Sequence, residues 1–358
     1  MRDGDFVDWS LAERIATGIA GEGGGFGPFV QSGVDAACAD ARTLVLDYTR
    51  LRPGWSLPEP ELIDRSEWTR VGMRILRELS EGLEQPLRES LGIPGPLGSV
   101  VRSLAGAAAG AEAGAAVGYG ARKVLGQYDI ALTGPNRDPR LLFVGPNLAA
   151  AHAELGGDPE LFLRWIAIHE ITHSVQFASV EWLRSHVAEL ITRLIAGASE
   201  RLDAGSLRRL AGRLLRTDPR DAMRTVLRGD LARLLVGPDQ VSILDRLQVA
   251  MSVIEGHAEH VMDAAAEHED PGYLLLRERL EDRRSRRGGV GEVIARLLGI
   301  ELKLRQYRLG KAFCDQVVRE AGIEVLNEIW HGPEALPTTA ELSQPELWLS
   351  RIVALESV

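Results

Sequence analysis

Two histidines four residues apart, His169 and His173, with Glu170 between them, constrain this chain more than any other feature. On a helix, residues four apart share a face, so both imidazoles reach the same point in space. The surrounding residues predict that helix. Gly156-Gly157-Asp158-Pro159-Glu160 is a start signal, with Asp158 as the cap, Pro159 as the first helical residue and Glu160 beside the positive end. Leu161, Phe162, Trp165, Ile166 and Ile168 precede the histidines, and Val175, Phe177 and Val180 follow, enough apolar surface for a buried helix. Two imidazoles on one face suit Zn²⁺, which takes neutral imidazole nitrogen and needs about four ligands, one of them water in a reactive site. Glu170 is placed to take a proton from that water. The plainer alternative is a helix whose histidines fill ordinary surface or core positions.

A third ligand must come from elsewhere. The segment Met251–Asp263 is the other stretch dense in ligand-type side chains, and it also reads as helix, with Met251, Ile254, Val261 and Met262 on its apolar side. It offers Glu255, Glu259 and Asp263, each one turn apart. If Glu255 is the ligand, Glu259 is placed to accept a hydrogen bond from the non-ligating nitrogen of His169 or His173. In a competing frame Glu259 is the ligand and Asp263 supports it. A donor toward a developing oxyanion would complete the chemistry. Tyr307 is the first choice, since a phenol competes weakly for Zn²⁺, and His257 and His260 are alternatives. Each of the three also suits an ordinary packing or hydrogen-bonding role.

His169-Glu170-x-x-His173 with the later Glu255-Gly256-His257-Ala258 resembles the gluzincins, whose third zinc ligand is a glutamate on a downstream helix; the resemblance implies His169, His173 and Glu255 as the zinc set. A closer resemblance runs along most of the chain. It is carried by Val7-Asp8-Trp9, Val124 to Asp129, Phe143-Val144-Gly145-Pro146-Asn147, the His169–Phe177 stretch, Glu181-Trp182-Leu183-Arg184, Glu255-Gly256-His257 and Lys303-Leu304-Arg305-Gln306-Tyr307. Together these resemble a bacterial family of zincin-like hydrolases, labelled either as zinc-dependent metalloproteases or as associated with biosynthesis of a deazaflavin coenzyme. The resemblance implies a mainly α, zincin-like fold with a small β element before the metal helix, an edge strand beside the site, and hydrolysis of a peptide. A small-amide hydrolase of cofactor metabolism and a zinc- or partner-binding protein without turnover are the alternatives.

The chain of 358 residues, 45% hydrophobic, can bury a substantial core, as one unit over 1–358 or subdivided near residue 125 into 1–125 and 126–358. A net charge of −10 argues against nucleic-acid binding through a broad basic surface. The two cysteines, Cys38 and Cys314, lie in predicted helices outside any ligand-spaced cluster. A reducing compartment follows, and with no secretory signal read at the N-terminus a cytoplasmic location is expected. Leu104–Gly120 is built from small residues with Glu112 near its middle, and Gly106, Gly110, Gly114 and Gly118 recur every four. That predicts a helix packed closely on another helix rather than a membrane span.

Further helices are predicted over 8–20, 33–50, 62–91, 181–236 and 290–330, with a proline-containing linker at Leu51–Pro60. The glycines of Gly21–Gly27 lack a Gly-Lys-Ser/Thr ending and read as a connector. Short strands are expected near Tyr128–Leu132 and Leu141–Val144. Arg279, Arg283, Arg284, Arg286 and Arg287 form a basic cluster, read as a solvated helix face or an anchor for an anionic substrate. The segment from Leu336 to Trp348 is expected to wrap the surface as a C-terminal cap.

Overall fold

The structure is a computed structural model that describes residues 6–21, 23–90, 96–132, 137–201, 238–266, 272, 275–280 and 305–356. Helices dominate: α1 (Trp9–Ala20), α2 (Pro28–Thr49), α3 (Arg65–Ser90), α4 (Pro96–Ala121), α5 (Gly145–Leu155), α6 (Pro159–Ser179), α7 (Glu181–Arg201), α8 (Pro238–Ala266) and α9 (Arg305–Ala321). Shorter C-terminal pieces follow, including Thr339–Ser343 and Pro345–Glu356. Three strands, β1 (Pro60–Ile63), β2 (Gly126–Asp129) and β3 (Arg140–Val144), form one sheet in the order β1-β3-β2.

The centre of the sheet is β3, parallel to β1 and antiparallel to β2. Its sequence Leu-Leu-Phe-Val is buried on both faces, as a central strand requires. Leu141 and Phe143 join the core made with α2, α5 and α6, while Leu142 and Val144 join the core made with α1, α3 and α4. The expected strand pair is therefore present, shifted by two residues at β2. The linker expectation over Leu51–Pro60 and the helix start at 62 need correction. Residues 60–63 are a strand, and the helix begins at Arg65. Pro60 opens an edge strand, where its missing N–H costs no ladder bond.

The glycine stripe of α4 packs against α1. A Cβ at Gly106, Gly110 or Gly114 would lie 2.3, 2.4 and 2.3 Å from the backbone oxygens of Phe6, Asp8 and Ala12. Ala12 and Ala16 present the matching small face and are wholly buried. The two backbones are in contact, the geometry that small residues every four positions permit. No helix among the described residues is long and apolar enough to cross a membrane.

The C-terminal segment is more than a surface wrap. Trp348 is fully buried, donates its indole N–H to the Ala335 carbonyl at 2.8 Å and packs edge-on to Phe313 of α9. It belongs to the core that α7, α8 and α9 share. Of the predicted helical stretches, 202–236 and 290–304 lie outside the described residues, as do Arg283, Arg284, Arg286 and Arg287. Arg279 is described, and it donates to the Leu155 carbonyl at 2.6 Å, at the end of α5.

Candidate metal centre

The helix that carries both histidines, α6, starts where its residues demand. Asp158 Oδ1 accepts the backbone N–H groups of Glu160 at 2.7 Å and Leu161 at 3.3 Å, with Pro159 in the first turn. Gly156 and Gly157 adopt φ of +66° and +93°, conformations that glycine enters without steric cost, and turn the chain from α5 into α6. Most of α6 is then buried, between α2 on one side and α8 on the other. That packing brings α8 alongside the histidines.

His169 Nε2 and His173 Nε2 lie 3.2 Å apart, and Glu255 Oε2 of α8 lies 3.7 and 3.8 Å from them. The three ligand atoms fall within 4.8 Å of one another, and no other such group of three occurs among the described residues. Ligands on a tetrahedral Zn²⁺ with bonds of about 2.0–2.1 Å are about 3.3–3.4 Å apart. The donor chemistry and the spacing both fit that ion. All three side chains keep some exposure, 13, 12 and 23% in order. Solvent therefore reaches part of each side chain.

The orientation of His173 is held by a residue the sequence reading passed over. His173 Nδ1 pairs with Gln176 Oε1 at 2.9 Å, so Nδ1 carries the proton and Nε2 keeps its lone pair for a ligand role. The Gln176 amide nitrogen donates to the Ile254 carbonyl at 2.9 Å and to His257 Nδ1 at 3.0 Å. One buried amide therefore ties the second histidine to the turn of α8 that carries Glu255. Gln176 stands three residues after His173 on the same helix face, a spacing visible in the sequence. His169 Nδ1 lies 3.1 Å from Met262 Sδ. Glu259 sits half-buried one turn beyond Glu255.

Replacing Gln176 by alanine is expected to weaken zinc affinity by about 10–100-fold while binding persists, the usual cost of losing a ligand's hydrogen-bond partner. A chelator competition titration measures it. Equal affinity for Gln176→Ala and wild type would show that the His173 ring is oriented by packing alone.

Glu170 is buried, 6% exposed, against the first residue of β2: a Cβ at Gly126 would lie 2.5 Å from Glu170 Cγ and 2.8 Å from its carboxylate carbon. Only glycine leaves room for the carboxylate there. Asp263 is bound to Arg277 at 2.7 Å and Lys311 at 2.8 Å. His260 bridges the Tyr48 hydroxyl at 2.7 Å and Asp315 at 2.8 Å. His257 is completely buried, edge-on to Trp330, and burial lowers its pKa to about 3, so the ring is neutral. Tyr307 lies on α9, and its side chain is outside the described residues. Its backbone is one turn before Gly310, where α9 crosses α8. A Cβ at Gly256 would lie 2.2 Å from the Gly310 carbonyl carbon, and one at Gly310 would lie 1.9 Å from the Ser252 oxygen. Gly256, next to Glu255, is the residue that allows this crossing.

Cys38 and Cys314 are free and buried. Burial, reinforced by Asp35, pushes the Cys38 thiol up to about 12, and burial raises Cys314 as well. Neither is a reactive thiol.

With this geometry the sequence can be set beside known proteins. The model of a family described as zincin-like metallopeptidase matches residues 7–349. The chain belongs to the zincin-like metallopeptidase family. The match spans almost the whole chain, and a zinc hydrolase is the general class it supports. A solved structure from Chloroflexus aurantiacus, described as “a putative hydrolase with a novel fold”, is similar over 97% of this chain and 98% of that one. The two are 26% identical, with a TM-score of 0.71. No curated protein matches the sequence.

Proposed function

We propose that this zincin-like protein is a zinc-dependent metallopeptidase in which His169, His173 and Glu255 hold the ion and Glu170 is the general base. The observation that carries the proposal is the convergence of two Nε2 atoms and one carboxylate oxygen within 4.8 Å across two helices. Zinc, when bound, would supply Lewis acidity to a scissile carbonyl and to the attacking water. Glu170 takes the proton from that water and delivers it to the departing amide nitrogen. Burial against Gly126 keeps its carboxylate from swinging into solvent. Gln176 keeps His173 in the tautomer a ligand needs, and Met262 Sδ, rather than Glu259, lies against the non-ligating nitrogen of His169. Tyr307 is the proposed donor to the oxyanion.

A peptide fits better than a compact amide, because β2 is an edge strand that packs against α6. Such an edge can hydrogen-bond an extended chain by strand addition. The two unpaired, buried thiols suit a reducing compartment such as the cytoplasm.

Elemental analysis tests the ligand set. About one Zn²⁺ per chain is expected for the wild type, and loss of most of it in His173→Ala and Glu255→Ala. Equal zinc in wild type and His173→Ala would overturn the site. Full zinc in Glu255→Ala with loss in Glu259→Ala would move the third ligand one turn along α8.

A further inference from the structure

We propose that a cavity at the carboxyl ends of β1 and β3, lined by none of the zinc ligands, binds a small molecule through a phosphate monoester group. The cavity has a volume of about 390 Å³, within the range of small-molecule sites, and its lining includes Arg65, Arg122 and Lys123. Glu154 is the single carboxylate in the lining. Three cations to one anion is a local excess of positive charge in a chain whose net charge is −10. Among the described residues the Arg122 guanidinium forms no ion pair, and Arg65 has only Asn147 as its hydrogen-bond partner.

Arg65 is held in place. Asn147, 2% exposed, accepts Arg65 Nε at 2.7 Å through Oδ1. Its amide nitrogen donates to the Ala121 carbonyl at 2.9 Å and the Val124 carbonyl at 2.7 Å, on either side of Arg122 and Lys123. One buried amide thus ties the Arg65 side chain to the backbone turn that carries Arg122 and Lys123. Using Nε for Asn147 leaves the terminal nitrogens of Arg65 for a ligand. Burial, then the nearby charge of Arg122, lowers the Arg65 pKa. Bringing like charges together in this way is unfavourable until an anion joins them.

The rest of the lining agrees. Lys123 Nζ sits 5.4 Å from the ring centre of Tyr119, which also borders the cavity. Asn147, Ala150 and Glu154, spaced by three and four, give the cavity one side of α5. Arg65 follows β1 closely and Asn147 follows β3, the end of a parallel strand pair where α/β proteins place ligands. The two guanidinium forks of Arg65 and Arg122 suit the oxygens of a phosphate dianion.

Phenyl phosphate is the probe, with benzenesulfonate as the monoanionic comparison, followed by calorimetric titration of the zinc-loaded protein. Saturable binding of phenyl phosphate, at least about tenfold tighter than benzenesulfonate, is expected. The Arg122→Gln/Lys123→Gln double variant should weaken it by at least about tenfold, with zinc stoichiometry and circular dichroism unchanged. His173→Ala should still bind the probe, which separates this cavity from the metal centre. No saturable binding, equal affinity for the two probes, equal binding by the double variant, or loss in His173→Ala but not in the double variant would each overturn the proposal. Failure of the zinc assignment would leave these outcomes readable, because the His173→Ala arm carries the test without the metal.

Discussion

Glu170→Gln is expected to keep its zinc and lose hydrolysis by about 10²–10⁴-fold, the usual contribution of a positioned general base. Glutamine has the same shape and fits the space beside Gly126, so the fold and the two imidazoles are undisturbed. What it lacks is a carboxylate that can accept a proton. Gly126→Ala should reproduce part of the loss with the carboxylate still present, because a Cβ there would lie 2.5 Å from Glu170 Cγ and must push the side chain away. Peptide-library cleavage by zinc-loaded protein, with zinc content measured alongside, provides the test. Wild-type cleavage that survives Glu170→Gln would remove Glu170 as base. Absence of cleavage by zinc-loaded wild type across a broad library would favour a protein that binds the metal without turnover.

Gly310→Val is expected to cost about 3 kcal/mol of stability or more, at the upper end for overpacking, and to weaken zinc binding with it. The reason is that the atoms in the way are backbone. A Cβ at residue 310 would lie 1.9 Å from the Ser252 oxygen, and no rotamer change relieves that. The helices α8 and α9 must separate, and α8 carries Glu255 less than one turn from the contact. Gly18→Ala is the control. It sits in α1 with nothing within 4 Å of its added Cβ, and should gain about 0.5–1 kcal/mol by restricting the unfolded chain. Denaturant unfolding of the two variants, with chelator competition, distinguishes them. A Gly310→Val protein as stable as wild type would mean that the crossing at Gly256 and Gly310 is loose.

Local signals in the sequence foretold local structure. The cap at Asp158, the four-residue spacing of His169 and His173 and the position of Glu170 all concern one helix, whose 3.6-residue period relates neighbours directly to faces. The glycine period of α4 likewise foretold a close helix contact, though not that α1 would be the partner. Gln176 was within reach of the same logic, three residues from His173. The strand β1 was not, since four residues opened by a proline have no periodicity of their own and become a strand only by pairing with β3.

Tertiary structure alone decided the contacts between distant segments. Helix spacing alone treats Glu255 and Glu259 alike, one turn apart; the resemblance of Glu255-Gly256-His257-Ala258 implied Glu255, and the packing of α8 on α6 brings that carboxylate to the histidines. The same holds for the bond from Gln176 to Ile254, for Trp348 in the core, and for Arg65, tied by Asn147 to the turn that carries Arg122 and Lys123. The sequence by itself determined the chemistry on offer, two imidazoles and a carboxylate on one helical face. Which third carboxylate joins them, and how each is oriented, depends on side-chain packing between helices that are far apart along the chain, and no local period encodes that.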